Sequence, residues 1–276
     1  MKKLIIFIAL MFTGCSNMMF FPLERHLRTP TDLNVEYSDV FFNSNDGTSL
    51  HGWFLPGKGK VKASILFLHG NAQNISTHLS SVYWLPKYGY NVFLFDYRGF
   101  GKSHGKPDLD GIIGDADAAI SLVSSLKETQ QFPIIVYGQS IGAAISSYAV
   151  AHASYRHKVD AIIIESSFSS YREIAKEKFA EIWLTWPFQY PLSWFFSDRY
   201  KPIDAVPLLS PIPILFIYAK TDRIIPVHHG EYLYAAAIEP KEFWLIENGQ
   251  HIDIFFQQER RERLLKYLST VKKRTP

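Results

Sequence analysis

The chain is 276 residues long, with 47% hydrophobic, 15% aromatic and 20% charged side chains. That excludes a disordered polar chain and leaves enough apolar surface for a substantial core, in one large domain or two small ones. Lys and Arg number 29 against 26 Asp and Glu, and this net +3 gives no electrostatic case for nucleic-acid binding. The single cysteine, Cys15, excludes an internal disulfide framework and a cysteine-based zinc finger.

In chain order, Lys2 and Lys3 precede an uninterrupted apolar run at residues 4–12. As a helix this run rises only about 13 Å, well short of the ~20 residues that cross a bilayer. A basic start, a short apolar run and small residues after it describe a secretory signal peptide. Thr13-Gly14 are followed at once by Cys15, so the segment resembles a bacterial lipoprotein signal, in which the processed cysteine carries acyl chains. Phe12 stands where such signals usually have leucine. Ser16 rather than aspartate after the cysteine implies, by the same resemblance, sorting to an outer membrane where the cell has one. The expected location is the cell envelope, with the membrane as partner through the lipid anchor. Processing removes Lys2 and Lys3, two of the 29 basic residues, so 27 face 26 acidic ones in a nearly neutral mature protein.

Residues 15–31 read as a lipidated tether into a domain at 32–276. Strands are expected at 35–42 and 49–55, around a turn at Asn45-Asp46-Gly47. Brief runs without alternation follow at 64–68, 91–95, 134–137, 161–164, 214–218 and 242–246, the pattern of strands buried on both faces. Helical stretches lie between them at 76–88, 111–127, 140–152, 228–237 and 252–272. Such alternation predicts a mostly parallel sheet between helices. Residues 167–202 break the rhythm with Trp183, Trp186, Phe188, Tyr190, Trp194, Phe195 and Phe196. They read either as a packed connection or as a small cap whose aromatic face covers an apolar substrate site.

Gly138-Gln139-Ser140-Ile141-Gly142 matches G-x-S-x-G, directly after an expected strand and before a helix. A sharp turn there strains and exposes the serine, and the helix N-terminus favours developing negative charge. A serine nucleophile needs a base and an orienting acid. His251, in a loop after the last strand, is the candidate base. Asp222, beyond the run 214–218, is the candidate acid, with Glu165 as the alternative. His228 and His229 open a helix and read as surface or capping residues. His69-Gly70-Asn71 follows a strand, so the Asn71 N–H, with that of Ile141, supplies two donors for a tetrahedral oxyanion. His69 itself reads as a structural hydrogen-bonding residue.

These pieces resemble the α/β-hydrolase superfamily, within the serine-aminopeptidase-like group that includes protein-depalmitoylase-like esterases. The resemblance rests on His69-Gly70-Asn71-Ala72, the run Asp96-Tyr97-Arg98-Gly99-Phe100-Gly101-Lys102-Ser103, the Ser140 turn, Asp222 with Ile225-Pro226, and His251. It implies an eight-stranded sheet with its second strand antiparallel, a Ser140-His251-Asp222 triad, and no cofactor or metal. A monomer acting on a small-molecule or acylated substrate is expected, and the aromatic cap and lipid tether favour an ester or thioester with an apolar acyl group over a peptide amide. Gln250 stands where relatives often have glycine. A non-catalytic ligand-binding lipoprotein of the same fold is the rival reading.

Other patterns fail on spacing. Gly101-Lys102-Ser103 lacks the earlier glycine of a phosphate-binding loop, because Asp96 stands there. His104 occupies the third glycine position of a dinucleotide fingerprint. Asp108 and Asp110 read as helix-capping acids, and the basic end at Lys272-Lys273-Arg274 as the complement of a helix C-terminus.

Overall fold

A computed structural model describes residues 19–274, so the leader and Cys15 lie outside the described residues. Eight strands form one sheet: β1 (Ser38–Asn43), β2 (Ser49–Leu55), β3 (Ala63–Leu68), β4 (Tyr90–Asp96), β5 (Ile134–Gln139), β6 (Val159–Glu165), β7 (Ile214–Ala219) and β8 (Lys241–Ile246). Their order is β8-β7-β6-β5-β3-β4-β2-β1. β2 runs antiparallel to both neighbours, and the other pairs are parallel. This is the α/β-hydrolase fold that the resemblance implied.

Strands β3 to β7 are buried along their whole length, which explains their unbroken apolar composition. Alternate residues feed two cores. Leu66, Leu68, Phe95, Val136 and Ile164 pack against helices α1 (Leu109–Ser125) and α2 (Ile141–His152). Ile65, Phe67, Leu94, Tyr137 and Ile163 face the other side, under Leu264 and Leu268 of the C-terminal helix Gln258–Thr270. Each such side chain contributes roughly 1.5–3 kcal/mol on burial. Asp108 caps α1 as expected, its carboxylate accepting the Gly111 N–H at 2.8 Å.

Three expectations change. The helix read at 76–88 breaks into a one-turn helix, Ile75–His78, and two tight turns, Leu79–Ser81 and Leu85–Tyr88. Ser80 bonds back to the Thr77 carbonyl and Pro86 offers no N–H, so neither supports a continuous helix. The last helix starts only at Gln258, because the chain at 251–257 is spent on a loop.

The third change concerns the tether. From Phe20 onward this segment is built into the fold rather than leading up to it. Phe20 is buried edge-on against Phe100, and Phe21–Pro22 pairs in parallel with Ala72–Gln73. Asn74 donates to the carbonyls of Leu23 and Arg25, and His26 bonds the Asp96 carboxylate at 2.7 Å. A run such as Met19-Phe20-Phe21 is too apolar to serve as a solvated linker, and Phe20 finds cover in the core while Phe21 stays largely exposed.

The cap comprises α3 (Tyr171–Glu181) and short turns at Trp186–Phe188 and Gln189–Ser193. Ser170 caps α3 by accepting the Glu173 N–H.

Candidate active site

Ser140 sits between β5 and α2 at φ +55°, ψ −123°, in the left-handed half of backbone space that side chains rarely adopt. Its N–H is held by the Glu165 carbonyl at 2.9 Å. The flanking glycines are required by packing. A Cβ at Gly142 would lie 2.3 Å from the Leu68 carbonyl oxygen and 2.4 Å from that of His69. A Cβ at Gly138 would lie 2.5 Å from the Ala143 Cα. The helix therefore starts in direct contact with the end of β3, and this brings Ile141 beside Gly70 and Asn71.

Asp222 and His251 approach from the ends of β7 and β8. His251 Nδ1 and Asp222 Oδ2 are 2.8 Å apart. Asp222 Oδ1 accepts the N–H groups of Ile224 and Ile225 at 2.8 and 3.0 Å. Burial alone would push this carboxyl up. The hydrogen bond and charge of His251, with the two amides, outweigh it and hold the group below the usual carboxylate range. The two loops are clamped together, since Thr221 Oγ1 donates to the Gly249 carbonyl. Asp222 does not cap the next helix, α4 (His228–Ala236), which starts at Val227 without a side-chain cap.

The alternative acid, Glu165, is engaged elsewhere. Its Oε2 takes bonds from the Tyr137 hydroxyl and from Gln139 Nε2, and burial pushes its pKa up to about 7. It lies beneath the serine turn, on its buried side.

One cavity of about 670 Å³ collects the remaining groups: Ser140 and Ile141, Gly70 and Asn71, and His251 all line it. The cap supplies Tyr171, Ile174, Phe179 and Phe196, and the N-terminal segment supplies Met19 and Phe21. Of the seven cap aromatics singled out in the sequence, Phe196 alone is among the lining residues. The tryptophans face elsewhere.

His78 also lines the cavity and was not legible in the sequence. Its ring meets that of His69 at a tilt, 5.2 Å between centroids, and a Cβ at Gly70 would lie 3.0 Å from it, so it buttresses the loop that presents Asn71. Desolvation, reinforced by His69, lowers its pKa to about 3, which keeps the ring neutral. Among the described residues, three of the five non-glycine residues with positive φ line this cavity: Gln73, Ser140 and Ile252. Strain of this kind concentrates at functional sites.

Among the described residues, two clusters elsewhere have the side chains of metal ligands. In Glu177, His228 and His229, the backbone N–H of Ser169 donates to His229 Nδ1, which leaves the proton on Nε2, facing Glu177. His229 is thus buried and hydrogen-bonded rather than a surface cap. In His26, His51 and Asp96, the His26–Asp96 contact is a hydrogen bond of 2.7 Å. Two ligands of one tetrahedral zinc, each about 2.0–2.1 Å away, would stand roughly 3.3 Å apart. Both clusters have the geometry of hydrogen-bonded networks.

Comparison with known proteins agrees with this architecture. Residues 59–205 match the family of serine aminopeptidases, S33 (Hydrolase_4). The uncharacterized protein YfhR of Escherichia coli O157:H7 is 38% identical over 244 residues, which are 87% of this chain and 81% of that one. The α/β hydrolase domain-containing protein WAV2 of Arabidopsis thaliana is 34% identical over 245 residues, 82% of this chain and 75% of that one. The structure of the Pyrococcus furiosus esterase Pf2001 superposes with a TM-score of 0.76 at 24% identity, covering 92% of this chain and 98% of that one, and so shares the fold.

Proposed function

The chain belongs to the serine aminopeptidase, S33 family and is an α/β-hydrolase, and from that footing we propose that it cleaves carboxylic esters or thioesters through a Ser140 acyl-enzyme. One observation carries this reading. Ser140, His251 and both oxyanion positions open on a single cavity, while Asp222 holds His251 from behind.

The chemistry follows from the hydrogen bonds. Asp222 Oδ2 accepts a hydrogen bond from the Nδ1–H, so His251 Nε2 carries the lone pair that takes the Ser140 proton. The serine oxygen attacks the acyl carbon, and the carbonyl oxygen becomes an oxyanion held by the N–H groups of Asn71 and Ile141. Each such donor contributes roughly 2.7–4 kcal/mol to the transition state. His251 returns the proton to the leaving alcohol or thiol as the bond to it breaks. Water then gives a proton to His251 and attacks the acyl carbon, and as the acyl C–Oγ bond breaks His251 returns the proton to Ser140, releasing the carboxylic acid and free enzyme.

The cavity wall favours an ester over a peptide amine terminus. Among the described residues, none of those lining it is Asp or Glu, and Lys178 is the one Lys or Arg. An aminopeptidase must bind the substrate's α-ammonium, and a site without a carboxylate leaves that charge unpaired. A mostly aliphatic and aromatic wall instead accommodates an acyl chain.

The test compares p-nitrophenyl esters of rising chain length with aminoacyl-naphthylamides. Higher kcat/KM for the esters, abolished by Ser140→Ala, is the expected result. Faster cleavage of the amides overturns the substrate assignment. Measurable turnover of neither class supports the non-catalytic rival.

We also propose that acyl chains on Cys15 anchor the protein in the cell envelope, supported by the leader pattern alone. Cys15→Ser then releases it from membranes. Unchanged sedimentation with membranes rejects the anchor.

A further inference from the structure

The cap turns an apolar outer face to solvent that the reaction does not use. Ile182, Trp183, Leu184, Trp186, Phe188 and Trp194 are all exposed, Trp183 by 84% and Trp194 by 66%. Soluble proteins rarely leave so many large rings together in water. Residues 182–196, Ile-Trp-Leu-Thr-Trp-Pro-Phe-Gln-Tyr-Pro-Leu-Ser-Trp-Phe-Phe, include no charged side chain. The neighbouring α3 balances Arg172, Lys176 and Lys178 against Glu173, Glu177 and Glu181. The surface is therefore apolar, aromatic and electrically neutral.

We propose that this outer face of the cap docks on a lipid bilayer, with the cavity mouth against the membrane. Three observations select a bilayer as the occupant. Tryptophan and tyrosine rings with an uncharged backbone stretch suit the interface between headgroups and acyl chains, where such rings accumulate. The inner side of the same cap is the wall of the cavity, through Tyr171, Ile174, Phe179 and Phe196. The N-terminal segment reaches the same place: Met19 and Phe21 line the cavity, and Phe21 is largely exposed. Cys15 lies four residues before Met19, a separation of at most about 14 Å along any chain path. An acylated Cys15 would thus enter the bilayer within reach of the cavity that Met19 and Phe21 line. Docked rings reach roughly 5–10 Å into the headgroup and upper acyl region.

The substrate consequence rests on the serine-hydrolase reading. A cavity opening onto the bilayer draws its acyl ester or thioester from the membrane, with the acyl chain passing from lipid to the apolar wall without crossing water.

The six tryptophans form a built-in probe. Trp53, Trp84 and Trp244 are buried, whereas Trp183, Trp186 and Trp194 all lie on the cap face. The lipidated full chain is reconstituted into phosphatidylcholine vesicles, with and without brominated acyl chains, beside the triple variant Trp183→Ser, Trp186→Ser, Trp194→Ser. Both proteins keep the anchor, so the comparison isolates the cap. The expected result is that brominated lipid quenches about half of the wild-type emission, since three of six rings would be immersed, and little of the variant's. Quenching should persist at high salt, because the face carries no charge. Circular dichroism confirms that the variant is folded. A long-chain ester embedded in the vesicles should then be cleaved about 10-fold more slowly by the variant, with a soluble short-chain ester unaffected.

Wild-type emission unchanged by brominated lipid overturns the docking. So does a wild-type dimer in sedimentation that the triple variant abolishes, which would make the face a contact between copies. Quenching without cleavage of either ester leaves docking intact and rejects the hydrolase reading, so the two failures are separable.

Discussion

Replacing Asp222 by Asn tests the wiring of the proposed triad at one atom. Asp222 Oδ1 is fixed by the N–H groups of Ile224 and Ile225, at 2.8 and 3.0 Å. An asparagine would keep its carbonyl oxygen on those two donors, which turns its amide nitrogen toward His251. That nitrogen can only donate, so Nδ1 must become the acceptor and the ring proton moves to Nε2. Nε2 is the atom that has to receive the serine proton. The side chain keeps its volume and its backbone bonds, so the fold is retained while the tautomer is wrong. A wrong-tautomer base costs on the order of 10³–10⁴ in kcat, or about 4–5.5 kcal/mol of barrier. KM should change little, because Asp222 is absent from the cavity lining. The assay is steady-state hydrolysis of p-nitrophenyl butyrate across about pH 6 to 9, with thermal melts to confirm folding. A kcat within about 10-fold of wild type, in a folded variant, would refute the assigned role of Asp222.

Three further outcomes follow from packing and charge. Gly142→Ala drives a Cβ to 2.3 Å from the Leu68 carbonyl oxygen, so it should cost roughly 3 kcal/mol or more in denaturant titration; a loss under about 1 kcal/mol would show that the turn has slack. Arg98 pairs with the fully buried Asp115 at 2.7 Å and also reaches Asp46, so Arg98→Met strands a buried carboxylate at a cost of about 3–5 kcal/mol. An unchanged denaturation midpoint would contradict that pairing. Glu165 has a folded pKa of about 7 against an ordinary 4.5, so its contribution to stability is complete below about pH 4.5 and is lost as pH rises through about 7. Wild type should therefore lose on the order of 3 kcal/mol over that window through this group, and Glu165→Gln should flatten the dependence; parallel pH curves for the two proteins would remove the burial argument.

Much of this architecture was legible in the chain because the sheet core is buried on both faces. The unbroken runs of β3 to β7 place those strands within two residues of their positions, and Gly138 to Gly142 mark the turn by a packing need that only glycine meets. The ordered loops at Asn71, Asp222 and His251 follow, since each lies beyond a strand end. What local pattern does not carry is long-range docking. His78 looks like any polar residue in a weak helix, and its contact with the His69 ring depends on how the chain folds back. Met19 and Phe21 likewise gain their place from a parallel bridge to Ala72–Gln73, about fifty residues away in sequence. The cap shows the same limit from the other side. Its aromatic richness signals an unusual surface, but composition alone does not say which rings face the cavity and which face out.

The most direct test of the central claim is covalent labelling of the folded protein with a fluorophosphonate, followed by peptide mass mapping. One adduct on Ser140, slowed in Asp222→Asn and absent in Ser140→Ala, is the result this account predicts. A folded wild-type protein that takes no label, or takes it on a different serine, would contradict it.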